Sequence, residues 1–263
     1  MENKIIKFES PYIFRYRNDV TRTLEEIENQ YIFFSTRDKL NDEDDSDPKN
    51  INFQKSKIDK RKLYSHYLKA MQDERTKNTF AKKHDEDSFI DFYEESISSY
   101  IYFHGIACFS KMPYTNKKIW DGYANYNKGV CLQFDFTLDK EFFYKLDHMK
   151  YSPEIKPIDF NPLDSGNAIM DVFYHKKDTW DYEHELRLVK FNKGNRKVHY
   201  NEKTLVNIVC GYNCENDYVT KITDVAKKYN PKVGVFKMEK PENINKARLI
   251  PKNDSAIEQA TKN

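Results

Sequence analysis

Residues 130–136 place the strongest constraint on the fold, because apolar and mostly polar side chains alternate along them. Val130, Leu132, Phe134 and Phe136 fall on one side of this alternation. A period of two predicts a β-strand with one apolar face. Further compact runs predict additional strands at residues 12–17, 31–35, 105–110, 205–210 and 232–238.

Helical periodicity occupies much of the chain between these strands. Residues 53–103 carry apolar and aromatic side chains at helical spacing, which predicts a helical insert or cap over the rest of the fold. Shorter helices are expected around Trp120 and Tyr123 and over residues 218–229. Because strands and helices are mixed without repeats or linkers, we predict one α+β domain over residues 1–263.

Two local signals concern a helix start and the end of the chain. Thr23 followed by Glu26 has the spacing of a capping box, which predicts a helix beginning at Thr23. The residues after Pro251 are mostly polar, which predicts a flexible tail over residues 252–263.

Composition limits the partners and the location. The 44 basic residues nearly balance the 42 acidic ones, so the net charge of +2 gives no global argument for nucleic-acid binding. Basic residues in 55–62 either contact phosphates or form a solvated helix face. Residues 1–20 lack the apolar core of a signal peptide, and no apolar run approaches the roughly 20 residues of a membrane span. We expect a cytoplasmic protein with no membrane partner.

Several common catalytic motifs are absent from the sequence. There is no Gly-x-Gly-x-x-Gly, no P-loop, no His-Glu-x-x-His and no Gly-x-Ser-x-Gly, which argues against several nucleotide, metal and serine-hydrolase chemistries. No metal site is expected. Three of the four cysteines lie in apolar, strand-like runs and are interpreted as buried thiols; the four are Cys108, Cys131, Cys210 and Cys214.

The segment around residues 180–187 holds the best candidates for chemistry. In a predicted strand over 183–191, Glu183, Glu185 and Arg187 lie on one face. Two carboxylates and a guanidinium are costly to bury unless they are paired. The alternatives are a solvent-facing ladder of compensating charges or the carboxylates of an active site.

Two further features each have two interpretations. The acidic loop at residues 41–48 is either solvated or a cation site, since clustered oxygens bind hard cations. Trp120 and Trp180 each precede a polar cluster, and they either anchor the core or wall a pocket.

The chain resembles the DUF2971 family of bacterial proteins. The motifs that carry the resemblance are Phe14-Arg15-Tyr16-Arg17, Phe33-Phe34-Ser35 through Leu40-Asn41-Asp42, Cys108-Phe109-Ser110, Trp120 with Tyr123-Ala124, Lys128-Gly129-Val130-Cys131, Lys177, Trp180, Tyr182-Glu183, Glu185 and Arg187. Two positions depart from the family pattern. Gly122 stands where the family commonly has a histidine, and the acidic run after Asn41 lacks the usual Pro-Phe-Asp.

The order of these motifs is also similar to that of a divergent ADP-ribosyltransferase. Such enzymes carry an Arg or His on an early strand, a Ser or Tyr on a middle strand and a Glu-x-Glu late in the chain. Arg15, Ser110 and Glu183-x-Glu185 follow that order. The resemblance implies a mixed, mainly antiparallel β core that binds NAD without a glycine-rich loop.

The same resemblance implies roles for individual residues. Glu185 would stabilise an oxocarbenium-like sugar, Glu183 would act on the acceptor, and Ser110 would orient the ribose. Further residues are expected to contribute: Arg187 to catalysis, and Arg15, Tyr16, Arg17, Trp120 and Tyr123 to NAD binding.

The implied function is ADP-ribose transfer from NAD to a macromolecular acceptor, either nucleic acid (RNA or DNA) or protein. It further implies a toxin or anti-phage effector that an antitoxin or regulatory protein restrains. One alternative is a metal-dependent nuclease built on Asp171, Glu185 and Arg187. The other is a non-catalytic binding or regulatory module.

Overall fold

The computed structural model describes residues 10–160, 162–163, 168–240 and 248–261. The strands there are β1 (Tyr12–Arg17), β2 (Tyr31–Phe34), β3 (Ile51–Phe53), β4 (Gly105–Ser110), β5 (Val130–Asp135), β6 (Leu146–His148), β7 (Lys150–Ser152), β8 (Ile158–Phe160), β9 (His175–Lys177), β10 (Glu185–Lys190), β11 (Arg196–His199), β12 (Leu205–Cys210), β13 (Gly234–Met238) and β14 (Leu249–Pro251). The α-helices are α1 (Val20–Asn29), α2 (Lys60–Ala70), α3 (Glu74–Lys83), α4 (Glu86–Phe103), α5 (Lys117–Tyr123), α6 (Ala168–Asp171), α7 (Asn216–Tyr229) and α8 (Asp254–Thr261).

Eight of these strands form one large sheet, in the order β14-β13-β12-β5-β1-β4-β10-β6. Its neighbours are antiparallel, apart from the parallel pair β12–β13. The predicted α+β class with a mixed, mainly antiparallel sheet is therefore confirmed.

The alternation in β5 has the predicted effect on packing. Val130, Leu132 and Phe134 are buried on one face of the sheet, together with Ile27 of α1 and Ile222 of α7. Each large apolar side chain buried in this way stabilises the fold by about 1.5–3 kcal/mol. The opposite face packs against α5 and α4.

Residues 53–103 form the helices α2, α3 and α4, as the sequence predicts. Their aromatic side chains contact one another around the fully buried Phe89. Basic residues of the 55–62 segment are paired with acidic residues of α4: Lys55 binds Asp91 and Lys60 binds Asp87, at 2.8 and 2.6 Å. This favours the solvated helix face over a phosphate-binding surface.

The predicted capping box at Thr23 and Glu26 is wrong. The helix begins one turn earlier, at Val20, because the side chain of Asp19 accepts the backbone N–H of Arg22. Thr23 and Glu26 instead lie in the buried face of α1.

The C-terminal segment that was expected to lack regular structure contains a helix. The expected flexible tail instead contains α8, whose Ala256 is fully buried against β13 and β14. Residues 262–263 of that prediction lie outside the described residues.

No helix among residues 10–160, 162–163, 168–240 and 248–261 is both long and apolar enough to cross a membrane.

Two glycines offer a matched test of packing at the sheet. A Cβ on Gly129 would lie 2.0 Å from the carbonyl oxygen of Arg17 in β1, whereas a Cβ on Gly122 would meet nothing within 4 Å. We expect Gly129→Ala to lower the free energy of unfolding by about 1–3 kcal/mol. Gly122→Ala should leave it unchanged or raise it by up to about 1 kcal/mol, because alanine favours a helix. Denaturant unfolding of both variants measures this, and equal effects would contradict the close approach of β1 and β5.

Candidate active site

The candidate site opens where β1 and β4 separate. These strands pair at one position, Phe14 with Ser110, whereas β1–β5 and β4–β10 each pair at six. Beyond that position the carbonyl of Cys108 in β4 accepts a hydrogen bond from Arg15 Nη1 at 3.3 Å. A side chain of β1 thus replaces the backbone partner, and a gap remains between the strands.

A cavity of about 310 Å³ lies at this gap. Its lining includes successive residues of β1 and of β4. Because successive side chains of a strand point to opposite faces of the sheet, residues from both faces contribute to the lining. Eight of the nine predicted site residues line it: Arg15, Tyr16, Arg17, Ser110, Tyr123, Glu183, Glu185 and Arg187.

Trp120 is the predicted site residue that the structure places elsewhere. It is fully buried, its Nε1 donates to the carbonyl of Tyr114 at 2.8 Å, and its ring packs edge-on against Tyr16 at 5.2 Å. In α5, Trp120 points into the core while Tyr123, one turn on, reaches the cavity. Trp120 is therefore a core anchor, and the structure does not bring it to the cavity.

Arg187 forms the floor of the cavity and is fully buried. Its Nη1 and Nη2 bind the two carboxylate oxygens of Asp45 at 2.7 Å each, and its Nε donates to Glu185 at 2.8 Å. Nη1 also donates to the carbonyl of Phe173 at 2.8 Å. These carboxylates keep the pKa of Arg187 above its ordinary value although burial opposes the charge.

Asp45 corrects the interpretation of the acidic loop at 41–48. Its side chain is 2% exposed and faces the guanidinium of Arg187, so this part of the loop is not solvated. The cation that Asp45 binds is a side chain of the protein itself. Asp44, the residue before Asp45, is exposed and paired with Lys177.

Lys176 is a site residue that sequence reasoning missed. Its Nζ lies 2.6 Å from Glu183 Oε2, 3.1 Å from Glu185 Oε2 and 4.0 Å from Asp45 Oδ2. The ring of Trp180 covers the same ammonium at 4.9 Å. In sequence, Lys176 sits in a short basic run that is typical of a surface. The sequence indicated a further cation only indirectly, because two buried carboxylates need more positive charge than Arg187 supplies.

The charged cluster consists of Asp45, Lys176, Glu183, Glu185 and Arg187. The side chains of Lys176, Glu183, Glu185 and Arg187 are each at most 7% exposed. The proposed solvent-facing ladder of charges is therefore wrong, because these side chains are buried and paired with one another.

Glu183 reaches the cluster by a route that strand periodicity did not predict. β10 begins at Glu185, whereas Glu183 ends a 3₁₀ turn and His184 adopts a left-handed conformation with φ 44°. The predicted strand start at 183 is thus wrong, although the carboxylate still meets Lys176. Ser110 Oγ fixes this turn by donating to the carbonyl of Glu183 at 2.7 Å.

The two glutamates differ in their electrostatics. Burial would raise the pKa of Glu185, but the charges of Arg187 and Lys176 outweigh it and lower that pKa to about 2. Burial raises the pKa of Glu183, and Lys176 and a hydrogen bond from Tyr123 offset this only in part. Glu185 is therefore held ionised, while Glu183 is the carboxylate closer to taking up a proton.

Two aromatic residues at the cavity are already engaged by the protein. The hydroxyl of Tyr123 donates to the carboxylate of Glu183, and burial raises the pKa of this phenol. Tyr16 donates to the carbonyl of Pro113 at 3.1 Å. Both rings line the cavity, but neither hydroxyl is without a partner.

Arg15 is a half-buried cation that forms no salt bridge among the described residues. Its Nη1 and Nη2 donate to the carbonyls of Cys108 and Phe33, and its Nε has no hydrogen-bond partner in the part of the chain described. Burial and the neighbouring charge of Arg17 lower the pKa of Arg15 to about 10. Arg17 is paired with Glu26 at 2.7 Å. An anionic ligand would supply what Arg15 lacks.

The residues of the nuclease alternative do not come together. Asp171 binds Lys150 at 2.8 Å on the surface and is not among the residues that line the cavity with Glu185 and Arg187. Within the described residues no group of three or more His, Cys, Asp or Glu side chains could hold a metal ion.

The pairing of Asp45 with Arg187 leads to a test of stability with a neighbouring control. We expect Asp45→Asn to lower the free energy of unfolding by about 3–5 kcal/mol, because it removes half of a buried ion pair. Asp44→Asn, at the exposed neighbour, should change stability little. Thermal and denaturant unfolding measure both, and a small effect of Asp45→Asn would show that the loop is not held by this pair.

Comparison with known proteins shows a family to which part of the chain is similar. A family model described as "Protein of unknown function (DUF2971)" matches residues 119–188. No curated protein and no solved structure was found to match the chain. The matched segment runs from α5 to β10 and holds Tyr123 and four members of the charged cluster: Lys176, Glu183, Glu185 and Arg187. The resemblance to the DUF2971 family is thereby confirmed over residues 119–188.

Proposed function

We propose that the protein transfers ADP-ribose from NAD to a macromolecular acceptor. The observation that carries this proposal is the row formed by Phe14, Ser110 and Glu185. Ser110 pairs with Phe14 on one side and with Glu185 on the other. Arg15, Ser110 and Glu185 therefore come from three adjacent strands that meet at the mouth of the gap.

The charges at the cavity suit a dinucleotide. Arg15 makes no salt bridge among the described residues and Lys39 also lines the cavity, so the pyrophosphate of NAD would meet cationic groups. The charged cluster, which lines the same cavity, would meet the nicotinamide ribose. Such a division places negative protein charge where positive charge develops on the sugar.

The proposed reaction breaks the bond between nicotinamide and ribose and forms a new bond from the ribose to the acceptor. The bond between C1′ of the ribose and the nicotinamide nitrogen breaks, and neutral nicotinamide leaves with the bonding electron pair. The ionised Glu185 stabilises the oxocarbenium-like sugar that results. An acceptor O–H or N–H group forms the new bond to C1′, and its proton passes to the carboxylate of Glu183.

The acceptor is proposed to be nucleic acid or protein, and the effector role to be that of a toxin or anti-phage protein. Such an activity would need a restraining partner, either an antitoxin or a regulatory protein. These assignments rest on the resemblance of the motifs and not on the charges of the site.

Labelled NAD incubated with the protein and with lysate, RNA or DNA tests the proposal. Glu185→Gln should lower label transfer and nicotinamide release by about 100-fold to 1,000-fold, because a neutral amide does not stabilise a cationic sugar. Glu183→Gln should lower transfer to the acceptor by a similar factor. Glu154→Gln changes an exposed glutamate that does not line the cavity, and it should behave as wild type.

Other outcomes identify the alternatives. The absence of label transfer and of nicotinamide release from wild-type protein would overturn the proposal. Cleavage of nucleic acid that needs Mg²⁺ and consumes no NAD would support the nuclease. A biological effect that survives Glu185→Gln would support the non-catalytic module.

A further inference from the structure

The charged cluster contains an unequal number of acidic and basic groups. Asp45, Glu183 and Glu185 face Lys176 and Arg187, so the fully ionised cluster carries one negative charge in excess. An excess charge in a buried site favours uptake of one proton. The arrangement of the two cations decides which carboxylate receives it.

The two cations are shared unevenly among the carboxylates. Arg187 is committed to Asp45 and to Glu185 Oε1, and it makes no hydrogen bond to Glu183. Glu183 therefore has Lys176 as its cationic partner, with Tyr123 as a neutral donor on its other oxygen. Glu185 has both cations, one on each oxygen.

The remaining titratable groups around Lys176 and Glu183 are neutral. Cys108 lies beside Lys176, and burial raises the pKa of its thiol. Tyr151 and Tyr182 lie near Glu183, and burial raises the pKa of both phenols. The charged groups that face this pair are thus Asp45, Glu185 and Arg187.

We propose that Lys176 is a positioning residue of the site. Its ammonium bridges the carboxylates of Glu183 and Glu185, holds them on one wall of the cavity, and assigns the proton-accepting role to Glu183. This inference rests on the proposed function for the reaction it serves, but the protonation of Glu183 is measurable without NAD.

The position of Lys176 supports a fixed bridge. β9 pairs with β7 in a small separate sheet, and Lys176 is its middle residue, with its side chain buried while those of His175 and Lys177 are partly exposed. Trp180 closes over the ammonium. The lysine thus has little freedom to turn away, unlike a surface lysine.

Removing the ammonium has a directional effect on pH dependence. The pKa of Glu183 rises when its cationic partner is lost, and a general base works only in its ionised form. In Lys176→Met the acid limb of the pH profile of transfer should move to higher pH by about 1–3 units. Activity lost at neutral pH should return in part as the pH is raised, which a loss caused only by misfolding would not do.

Three variants test the positioning role of Lys176, and a direct titration of Glu183 is measured in each, with Glu183→Gln used to assign its signal. Lys176→Arg keeps the charge and should keep the acid limb close to that of wild type, whereas Lys176→Met should move it. Lys150→Met removes an exposed lysine of β7 and serves as the matched control. Isotope-labelled glutamate carboxyl carbons are titrated by NMR in each protein, and the signal missing in Glu183→Gln identifies Glu183.

The outcomes separate this inference from the proposed function. A Glu183 titration that is the same in wild type and Lys176→Met overturns the inference, whatever the NAD assay shows. A shifted titration in a protein that does not consume NAD supports the bridge and overturns the transferase. Where Lys176→Met does not fold, Lys176→Gln and Lys176→Arg supply the comparison, and equal titrations in those two overturn the inference.

Discussion

The buried guanidinium of Arg187 is the interaction on which the rest of the structure depends. Each of its nitrogens has an acceptor, and these come from the 41–48 loop, from β10 and from the segment before β9. A charge removed from water is tolerated only when such partners are complete. Three distant parts of the chain must therefore be in place together, which fixes the wall that carries Glu183 and Glu185.

Arg15 occupies the opposite situation, and the difference explains why the cavity lies where it does. Its guanidinium bonds two backbone carbonyls at the gap between β1 and β4, and it makes no salt bridge among the described residues. A smaller side chain would leave the carbonyl of Cys108 without this donor. Arg15 therefore replaces a missing backbone partner and also presents a cation to the cavity.

Local pattern was enough to predict most of the secondary structure but only part of the site. Period-two alternation predicted β5, and an apolar run predicted β12. Both predictions were possible because the burial pattern of a strand can be recognised from consecutive residues. Asp45 was not predicted because it lies in a polar run and its partner Arg187 is 142 residues away. Lys176 also lies in a polar run, and although its partners Glu183 and Glu185 are close in sequence, a 3₁₀ turn and not one strand face brings them together. Glu183 was assigned to the site for a reason that proved wrong, since the left-handed His184 and not strand alternation turns it inward.

Stability alone is a poor explanation for five buried ionisable groups. Apolar residues of similar volume often stabilise a core as well as buried ion pairs or better, because desolvation offsets much of the attraction between the charges. The charged cluster has an excess carboxylate, which a purely structural ion pair does not need. That surplus lines the same cavity as Arg15, which makes no salt bridge among the described residues. The proposed substrate NAD has an anionic pyrophosphate and a ribose that becomes cationic as the glycosidic bond breaks, so it would offer a partner to each.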